Sequence, residues 1–212
     1  MATICPTVTC QKDDLHEYRT QMERVENISN RIQVDLMDGE FAPTKSPDIE
    51  KIWFPEGKQI DLHLMYQHPS DVLNDVLELN PNMLIVHKEA SVDFATLAGA
   101  LHASGIKFGM AILPQTQVAD CLEELEYVDH VLIFSGDLGH FGGKADFGLL
   151  KKIEQLRKYK PGLEIGWDGG VNAENAKQLA DGGVDVLNVG GFIQNSDNPS
   201  EAFSQLSNLL ES

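Results

Sequence analysis

Acidic and histidine side chains stand at the ends of several apolar, strand-like segments of this sequence. They are Asp35, Asp38, His63, His87 and Asp168. A carboxylate can take a proton from a carbon beside a carbonyl group and can also return it. Carboxylates and imidazoles together can bind a divalent metal ion. An Asp before Gly is also a common turn former, and a buried His is more often a hydrogen-bonded core residue, so the chemistry depends on a fold that brings these ends together.

The elements that would position these residues alternate between short β-type runs and stretches with helical periodicity. The apolar runs, bounded by Gly, Pro, Asp or Asn as buried parallel strands are, cover residues 3–9, 31–37, 59–65, 83–87, 108–113, 130–135, 163–167 and 184–189. Eight strands with a helical segment after most of them favour an α/β fold, a closed (β/α)8 TIM barrel, over a doubly wound open sheet. The length of 212 residues predicts one barrel domain over residues 1–212.

A TIM barrel gathers the carboxyl ends of its strands at one mouth. In such a barrel Asp35 and Asp168 would lie on opposite sides of a small ligand, although they are far apart in the sequence. One carboxylate could then take a proton from one face of a carbon and the other could return a proton to the opposite face, which is what inversion beside a carbonyl requires. We therefore predict that these two residues form a catalytic acid and base pair.

Three pairs of glycines follow the last three predicted strands. They are Gly142 and Gly143, Gly169 and Gly170, and Gly190 and Gly191. The loops after strands seven and eight of a TIM barrel commonly bind phosphate through backbone N–H groups, and glycine permits the close approach and the unusual backbone angles that this requires. Turn formation alone would explain any single pair. Together the pairs predict a phosphate site built from backbone amides.

The formal net charge of −17 limits the partners that the chain can have. Nucleic acids and anionic membranes are bound largely through Lys and Arg, so we expect neither as a partner. The amino-terminal segment MATICPTVTCQKDD lacks a basic start followed by an apolar run, and no segment is apolar for the length of a membrane span. We therefore expect a cytoplasmic protein that binds a small molecule, with its oligomeric state open and a homo-oligomer included.

Seven motifs occur in the order and at the strand positions found in one enzyme family. They are ICPTVT, VDLMDGEF, DLHLM, VHKEA, GMAILPQT, the FGG of HFGGKADF, and WDGGVN. On these motifs the chain resembles the ribulose-phosphate 3-epimerase family over nearly its whole length. The resemblance implies a barrel of the ribulose-phosphate-binding type that inverts C3 of a ketopentose 5-phosphate and so interconverts ribulose and xylulose 5-phosphates. It also implies one divalent metal ion that polarises the C2 oxygen and stabilises a cis-enediolate.

The resemblance gives roles to individual residues. Asp35 and Asp168 correspond to the acid and base pair and to two metal ligands, and His63 corresponds to a further metal ligand beside the substrate. Met37 and Met65 correspond to an apolar layer next to the enediolate. The glycines expected to hold the phosphate are Gly142, Gly143, Gly169, Gly170, Gly190 and Gly191.

Several positions depart from the family pattern, among them Phe134, which replaces a sulfur-bearing residue near strand six. Thr7 replaces a Ser that contacts the substrate, and it keeps the hydroxyl group. Gln33 replaces a metal-binding His, and its amide oxygen is a weaker zinc ligand that would favour Mn²⁺ or Mg²⁺, so Zn, Mn, Mg and Fe all stay open. Leu113 replaces an Asn and His140 replaces a Gly. Trp167 replaces a small Val, which predicts a narrower end of the seventh strand.

Three functions stay open at this stage. The first is inversion of C3 in a pentulose 5-phosphate. The second is a catalytically weak or inert sugar-phosphate-binding homologue, which Gln33 and Leu113 suggest. The third is a ketohexose-phosphate 3-epimerase, while a decarboxylase is disfavoured because QVDLMDGE has no Lys where such a strand needs one. The sequence leaves the roles of His87 and His140 undecided.

Overall fold

The fold is a closed barrel of eight parallel strands. The computed structural model describes residues 2–140 and 142–211, so Phe141 of the FGG motif lies outside the described residues. Each strand pairs in parallel with the next, and the last pairs with the first. The strands are β1 (Thr3–Thr9), β2 (Arg31–Met37), β3 (Gln59–Met65), β4 (Met83–His87), β5 (Lys107–Ile112), β6 (His130–Phe134), β7 (Glu164–Asp168) and β8 (Val186–Val189). The predicted TIM barrel is confirmed, with every strand within two residues of its expected bounds.

Helices and short 3-10 turns connect the strands. The α-helices are α1 (Leu15–Val25), α2 (Leu73–Leu79), α3 (Phe94–Ala103), α4 (Lys151–Tyr159), α5 (Ala176–Asp181), α6 (Gly191–Gln194) and α7 (Pro199–Glu211). The 3-10 turns are Ile49–Lys51, Pro69–Val72, Val118–Cys121, Glu124–Glu126 and Phe147–Leu150. Within the described part of the chain, no helix is both long enough and apolar enough to cross a membrane.

Side chains along each strand point alternately into the barrel and into the layer between the barrel and its helices. On β2, Val34 and Leu36 pack with apolar helix residues in the layer between the barrel and its helices, while Gln33 and Asp35 face the inside of the barrel. Inside the barrel, a small apolar cluster fills the middle, formed by Met83, Ile85, Ala111 and Leu132. Polar groups inside the barrel therefore lie above or below this cluster.

An ionic cluster closes the amino-terminal end of the barrel. The Nε atom of Arg31 lies 2.6 Å from Oδ2 of Asp61, and its guanidinium also pairs with Glu164 at 2.7 Å. The Nδ1 atom of His130 lies 2.8 Å from Oε2 of Glu164. Burial raises the pKa of Glu164, but hydrogen bonds from Arg31 and His130 outweigh this effect and hold that pKa well below its usual range. Paired charges therefore fill the barrel interior at this end.

Candidate active site

Two carboxylates from different strands meet at the carboxyl-terminal end of the barrel. The ligand atoms of Asp35, His63 and Asp168 all lie within 4.8 Å of one another. The amide of Gln33 joins the carboxylates, because its Nε2 donates to Oδ1 of Asp35 at 2.9 Å and to Oδ2 of Asp168 at 2.6 Å. The barrel therefore brings together the two residues that the sequence predicts as an acid and base pair.

The strands hold the two carboxylates in different surroundings. Asp35 lies beside His63 in the parallel register, is buried, and accepts a hydrogen bond of 2.6 Å from the hydroxyl of Thr9. Asp168 is the last residue of β7 and is partly exposed to the cavity above it. Burial, followed by the negative charge of Asp35, raises the pKa of Asp168 to about 7, although His63 and Gln33 counteract the rise. The protonated form of Asp168 is therefore more favoured than that of an ordinary carboxyl group.

Two buried imidazoles, one on β3 and one on β4, extend the site sideways from Asp35. The Nδ1 atom of His63 lies 3.0 Å from Oδ1 of Asp35, and its Nε2 lies 2.9 Å from Nε2 of His87. The Nδ1 atom of His87 faces Oε2 of Glu89 at 3.5 Å. Burial lowers the pKa of His87 to about 4, despite the opposing effect of Glu89, so this ring is neutral near pH 7.

A cavity of about 290 Å³ opens above the carboxylates. Its volume lies at the lower end of the range for small-molecule sites, about 300 Å³ upward, which suits a compact ligand. Thr7, Met65, Asp35 and Asp168 line it, as do all six glycines of the predicted phosphate site. Among the described residues, the polar and apolar lining also includes Thr9, Phe134, Asn172, Asn188 and Phe192.

Three predicted site residues lie below the cavity and do not line it. Gln33 and His63 are fully buried, and they reach the cavity only through the carboxylates. Met37 packs against Met65 and Ala42, so it supports the methionine that lines the cavity. Met65 alone therefore represents the predicted methionine layer at the cavity surface.

The loops that carry the glycine pairs converge on one side of the cavity. Gly142, Gly143, Gly169 and Gly170 all have φ values between +71° and +113°, a region that favours glycine. The N–H of Gly170 donates to the carbonyl of Gly142 at 3.1 Å, which joins the loops after β6 and β7. A Cβ on Gly170 would overlap the backbone nitrogen of Ala145. Close packing of the loops, and not only turn formation, therefore requires glycine here.

The charge of the cavity wall comes almost entirely from acids. Among the described residues that line the cavity there is no Lys or Arg, and His140 at the rim is the one side chain that can carry a positive charge. An anion that enters the cavity therefore meets no Lys or Arg there, and the donors within reach are backbone N–H groups, amide and hydroxyl side chains, and His140.

Three buried polar atoms of the site have no hydrogen-bond partner within the described residues. They are Oγ1 of Thr7, Oε1 of Gln33 and Oδ1 of Asn188. Buried polar atoms normally have a partner, so unpaired atoms beside a cavity indicate groups that a ligand or water completes. Sequence reasoning missed Asn188 and Thr9, although both are polar residues within apolar strands.

Two departures from the family pattern lie away from the cavity. Leu113 is outside the cavity lining, and its backbone N–H donates to Glu89 at 3.1 Å. Trp167 is fully buried in the layer between the barrel and its helices. The expectation that Trp167 narrows the end of the seventh strand is wrong, because neighbouring residues on a strand face opposite sides and Asp168 takes the inner one.

Comparisons with known proteins agree on one family. A model of the ribulose-phosphate 3 epimerase family matches residues 6–193. A ribulose-phosphate 3-epimerase from Helicobacter pylori strain J99 is 32% identical over 199 residues, which cover 89% of this chain and 91% of the relative. The enzyme of the same name from Schizosaccharomyces pombe is 29% identical over 188 residues, which cover 86% of this chain and 82% of the relative.

Solved structures with the same barrel have more distant sequences. The 3-hexulose-6-phosphate synthase from Salmonella typhimurium has a TM-score of 0.70 at 16% identity and covers 98% of both chains. The orotidine 5'-phosphate decarboxylase from Pyrococcus horikoshii has a TM-score of 0.68 at 16% identity, over 99% of this chain and 100% of its own. These likenesses show the fold alone. Since the family model and a relative above 30% identity both extend over most of the sequence, the chain belongs to the ribulose-phosphate 3-epimerase family and is an isomerase.

Proposed function

We propose that the chain inverts the C3 centre of a ketopentose 5-phosphate and so interconverts D-ribulose 5-phosphate and D-xylulose 5-phosphate. The observation that carries this proposal is the carboxylate pair. Asp35 and Asp168 extend from different strands to one cavity, with ligand atoms within 4.8 Å of each other. The relatives, which are named ribulose-phosphate 3-epimerases, support the same substrate.

The carboxylate pair can perform the inversion by moving two protons. The C3 hydrogen of such a ketose is acidic, because the charge left by its removal spreads to the C2 oxygen and gives an enediolate. One ionised carboxylate takes this hydrogen from one face, and the other, as a carboxylic acid, returns a hydrogen to the opposite face. The raised pKa of Asp168 favours its protonated form, and hydrogen bonds from Thr9 and Gln33 fix the direction of Asp35.

The donor atoms below the cavity fit a divalent metal ion. Asp35, His63 and Asp168 offer two carboxylates and one imidazole, a set that suits Zn²⁺, Mn²⁺ or Fe²⁺, and Mg²⁺ less well. When bound, such an ion would polarise the C2 carbonyl and stabilise the negative charge that develops on it. Gln33 turns its amide nitrogen toward the carboxylates, and half a turn of this amide would bring Oε1 to the same place as a fourth ligand.

We assign the phosphate to the glycine loops and the sugar to the space above the carboxylates. Backbone N–H groups of the three glycine pairs, other than that of Gly170, which already donates to Gly142, would hold the phosphate, since the cavity wall offers no Lys or Arg among its described residues. The unpaired polar atoms of Thr7 and Asn188 would bond to sugar hydroxyls. The cytoplasmic location and the oligomeric state stay predictions.

One observation favours a second candidate function. The amide nitrogen of Gln33 already satisfies both carboxylates, at 2.9 and 2.6 Å, as a metal ion would otherwise do. A protein that keeps this arrangement would bind the sugar phosphate without strong polarisation of C2. The second candidate is therefore a sugar-phosphate-binding homologue with weak or no epimerase activity.

Hydrogen exchange at C3 distinguishes these functions. The protein would be incubated with D-ribulose 5-phosphate in deuterated water, with Zn²⁺, Mn²⁺, Mg²⁺ or Fe²⁺ in turn, and proton NMR would follow the C3 signal and the appearance of D-xylulose 5-phosphate. A ketohexose 6-phosphate in a parallel reaction tests the longer substrate. We expect exchange and epimerisation of the pentulose phosphate, with epimerisation lost in both Asp35→Asn and Asp168→Asn, and exchange lost in the variant that lacks the base facing the C3 hydrogen.

The matched control is Asp71→Asn, since Asp71 is an exposed acid after β3 that does not line the cavity. This variant should exchange at the wild-type rate. Binding of the sugar phosphate without exchange under any metal would favour the second candidate. Epimerisation that persists in Asp35→Asn or in Asp168→Asn would contradict the assignment of the carboxylate pair.

A further inference from the structure

Four side chains form a continuous line from a residue just after the carboxyl-terminal end of β4 to the carboxylate of Asp35. The line runs from Glu89 through His87 and His63 to Asp35, with nearest polar atoms 3.5, 2.9 and 3.0 Å apart. Both imidazoles are fully buried. Because a neutral imidazole has one donor and one acceptor nitrogen, the hydrogen position on one ring determines that on the other.

Glu89 determines which nitrogen of His87 carries the hydrogen. Its Oε1 accepts hydrogen bonds from the N–H of Leu113 and the hydroxyl of Thr116. Its Oε2 and the Nδ1 of His87 are both buried and have no hydrogen-bond partner within the described residues, and they face each other at 3.5 Å. A carboxylate can only accept, so a hydrogen on Nδ1 of His87 is the arrangement that gives both atoms a partner.

The remaining positions follow from this one. With its hydrogen on Nδ1, neutral His87 has an acceptor at Nε2, so Nε2 of His63 must donate across the 2.9 Å contact. The Nδ1 atom of His63 is then a lone pair, and it lies 3.0 Å from Oδ1 of Asp35. Two acceptors at this distance repel each other unless a cation lies between them.

We propose that Glu89 and His87 are positioning residues that keep the hydrogen of His63 on Nε2 and so present its Nδ1 as a metal ligand. The proposal rests on the metal site of the proposed function. Neither Glu89 nor His87 lines the cavity, so their role is to orient His63 and not to contact the substrate. Such supporting contacts fix which nitrogen of a ligating His is free and raise its basicity.

The variant Glu89→Gln should reverse the hydrogen positions on His87 and His63, while the side chain at position 89 keeps nearly the same shape. The new amide would keep its oxygen at the two donors of Leu113 and Thr116, which places its NH₂ group opposite Nδ1 of His87. The Nδ1 atom of His87 must then accept, its Nε2 must donate, and His63 must carry its hydrogen on Nδ1, pointing at Asp35. A metal ion would have to displace that hydrogen.

The test measures hydrogen positions directly. Nitrogen-15 NMR of protein labelled at histidine, recorded without substrate at a Zn²⁺ concentration that saturates the wild type, reports which nitrogen of His63 is protonated. We expect Nε2 in the wild type and Nδ1 in Glu89→Gln. Calorimetric titration with Zn²⁺ should show an affinity about 10- to 100-fold lower in the variant, the usual effect of losing such a partner.

The control variant is Glu124→Gln. Glu124 pairs with Lys88, the neighbour of His87. The variant Glu124→Gln therefore removes one negative charge close to the line and leaves its four side chains unchanged. It should keep the wild-type hydrogen position and Zn²⁺ affinity. If Glu89→Gln does not fold, the wild-type spectrum still decides, because a hydrogen on Nδ1 of His63 in the wild type would overturn the proposal.

An unchanged hydrogen position and Zn²⁺ affinity in folded Glu89→Gln would also overturn the proposal. Failure of the proposed function gives a different result. A wild-type protein that carries the hydrogen on Nε2 of His63 but does not epimerise a pentulose phosphate would contradict that function and support the positioning role.

Discussion

Gln33 donates a hydrogen bond of 2.6 Å from Nε2 to Oδ2 of Asp168 and so joins β2 to β7, which β8 and β1 separate in the barrel. The same nitrogen donates to Asp35, so one amide satisfies the two carboxylates that are proposed to move protons. Its carbonyl oxygen is left without a partner among the described residues. The amide therefore satisfies both side chains but offers a metal ion a nitrogen that cannot bind it.

Replacing Gln33 with His should strengthen metal binding. An imidazole is a better zinc ligand than an amide, and it would provide a fourth donor beside Asp35, His63 and Asp168. We expect Gln33→His to raise the Zn²⁺ affinity by about 10-fold or more, measured by calorimetric titration in a competing chelator. The control Gln33→Leu has no donor atom and should not gain affinity. Equal affinities in wild type and Gln33→His would contradict the proposed site.

Replacing Gly170 with Ala should weaken substrate binding through the shape of the loops. The new Cβ would overlap the backbone of Ala145 at a φ of +71°, so the loops after β6 and β7 must move apart. We expect KM for D-ribulose 5-phosphate to rise by about 10-fold, equivalent to about 1.4 kcal/mol. Gly57→Ala is the control, because Gly57 has a φ of +75° but no atom within 4 Å of its Cβ position. It should lower stability by about 1–2 kcal/mol and leave KM unchanged.

Shortening Trp167 should affect stability and not the cavity. Its indole is fully buried in the layer between barrel and helices, and its Nε1 donates to the carbonyl of Gly169 at 3.0 Å. We expect Trp167→Phe to lower the free energy of unfolding by about 1–3 kcal/mol in urea denaturation, with KM within the error of the wild type. Trp53→Phe, at a side chain that is 37% exposed, should cost much less. A large change in KM for Trp167→Phe would place the indole at the cavity after all.

Protonation of Glu164 in acid should lower the free energy of unfolding of the barrel. Its pKa is lower in the folded state than the value of about 4.3 in the unfolded chain, so its contribution is fully present above that pH and is lost as the pH falls toward the folded-state value. Because the side chain is 36% exposed, water screens the pairing and we expect about 1 kcal/mol. Glu164→Gln should be less stable than the wild type at pH ~7, and the gap should shrink near pH ~3.

Urea denaturation at both pH values would measure this difference. Glu174→Gln, which changes an exposed acid, is the control and should show no such dependence on pH. If the gap between Glu164→Gln and the wild type is the same at both pH values, the lowered pKa does not contribute to stability.

The fold was predictable because strands buried on both faces leave a plain pattern. The first four strands have the expected bounds, and Asn30, Asp38 and Asn82 mark the ends of the second run and the start of the fourth. The shared mouth of Asp35 and Asp168 followed from barrel geometry. The size of Trp167 misled, although an inward-facing Asp168 already implies by alternation along the strand that Trp167 faces the helices.

The contacts within the site were not predictable in the same way. The hydrogen bond from Gln33 to Asp168 spans 135 positions, and the pairing of His63 with His87 depends on ring orientations set by packing. Asn188 sits beside Asp168 in the register of β7 and β8, a relation that no spacing in the sequence reveals. Sequence patterns indicate which strand or loop holds a side chain, whereas the hydrogen-bond partner of that side chain depends on three-dimensional packing.

The glycine loops have a consequence for the rate at which substrate arrives. A chain with net charge −17 and an acidic cavity wall repels a phosphorylated sugar at long range, while the backbone dipoles proposed to hold the phosphate act only at short range. Dissolved salt screens the long-range repulsion over about 10 Å at 0.1 M and leaves the close contacts nearly intact. Substrate capture should therefore become faster as ionic strength rises, the reverse of enzymes that attract phosphates with lysines and arginines.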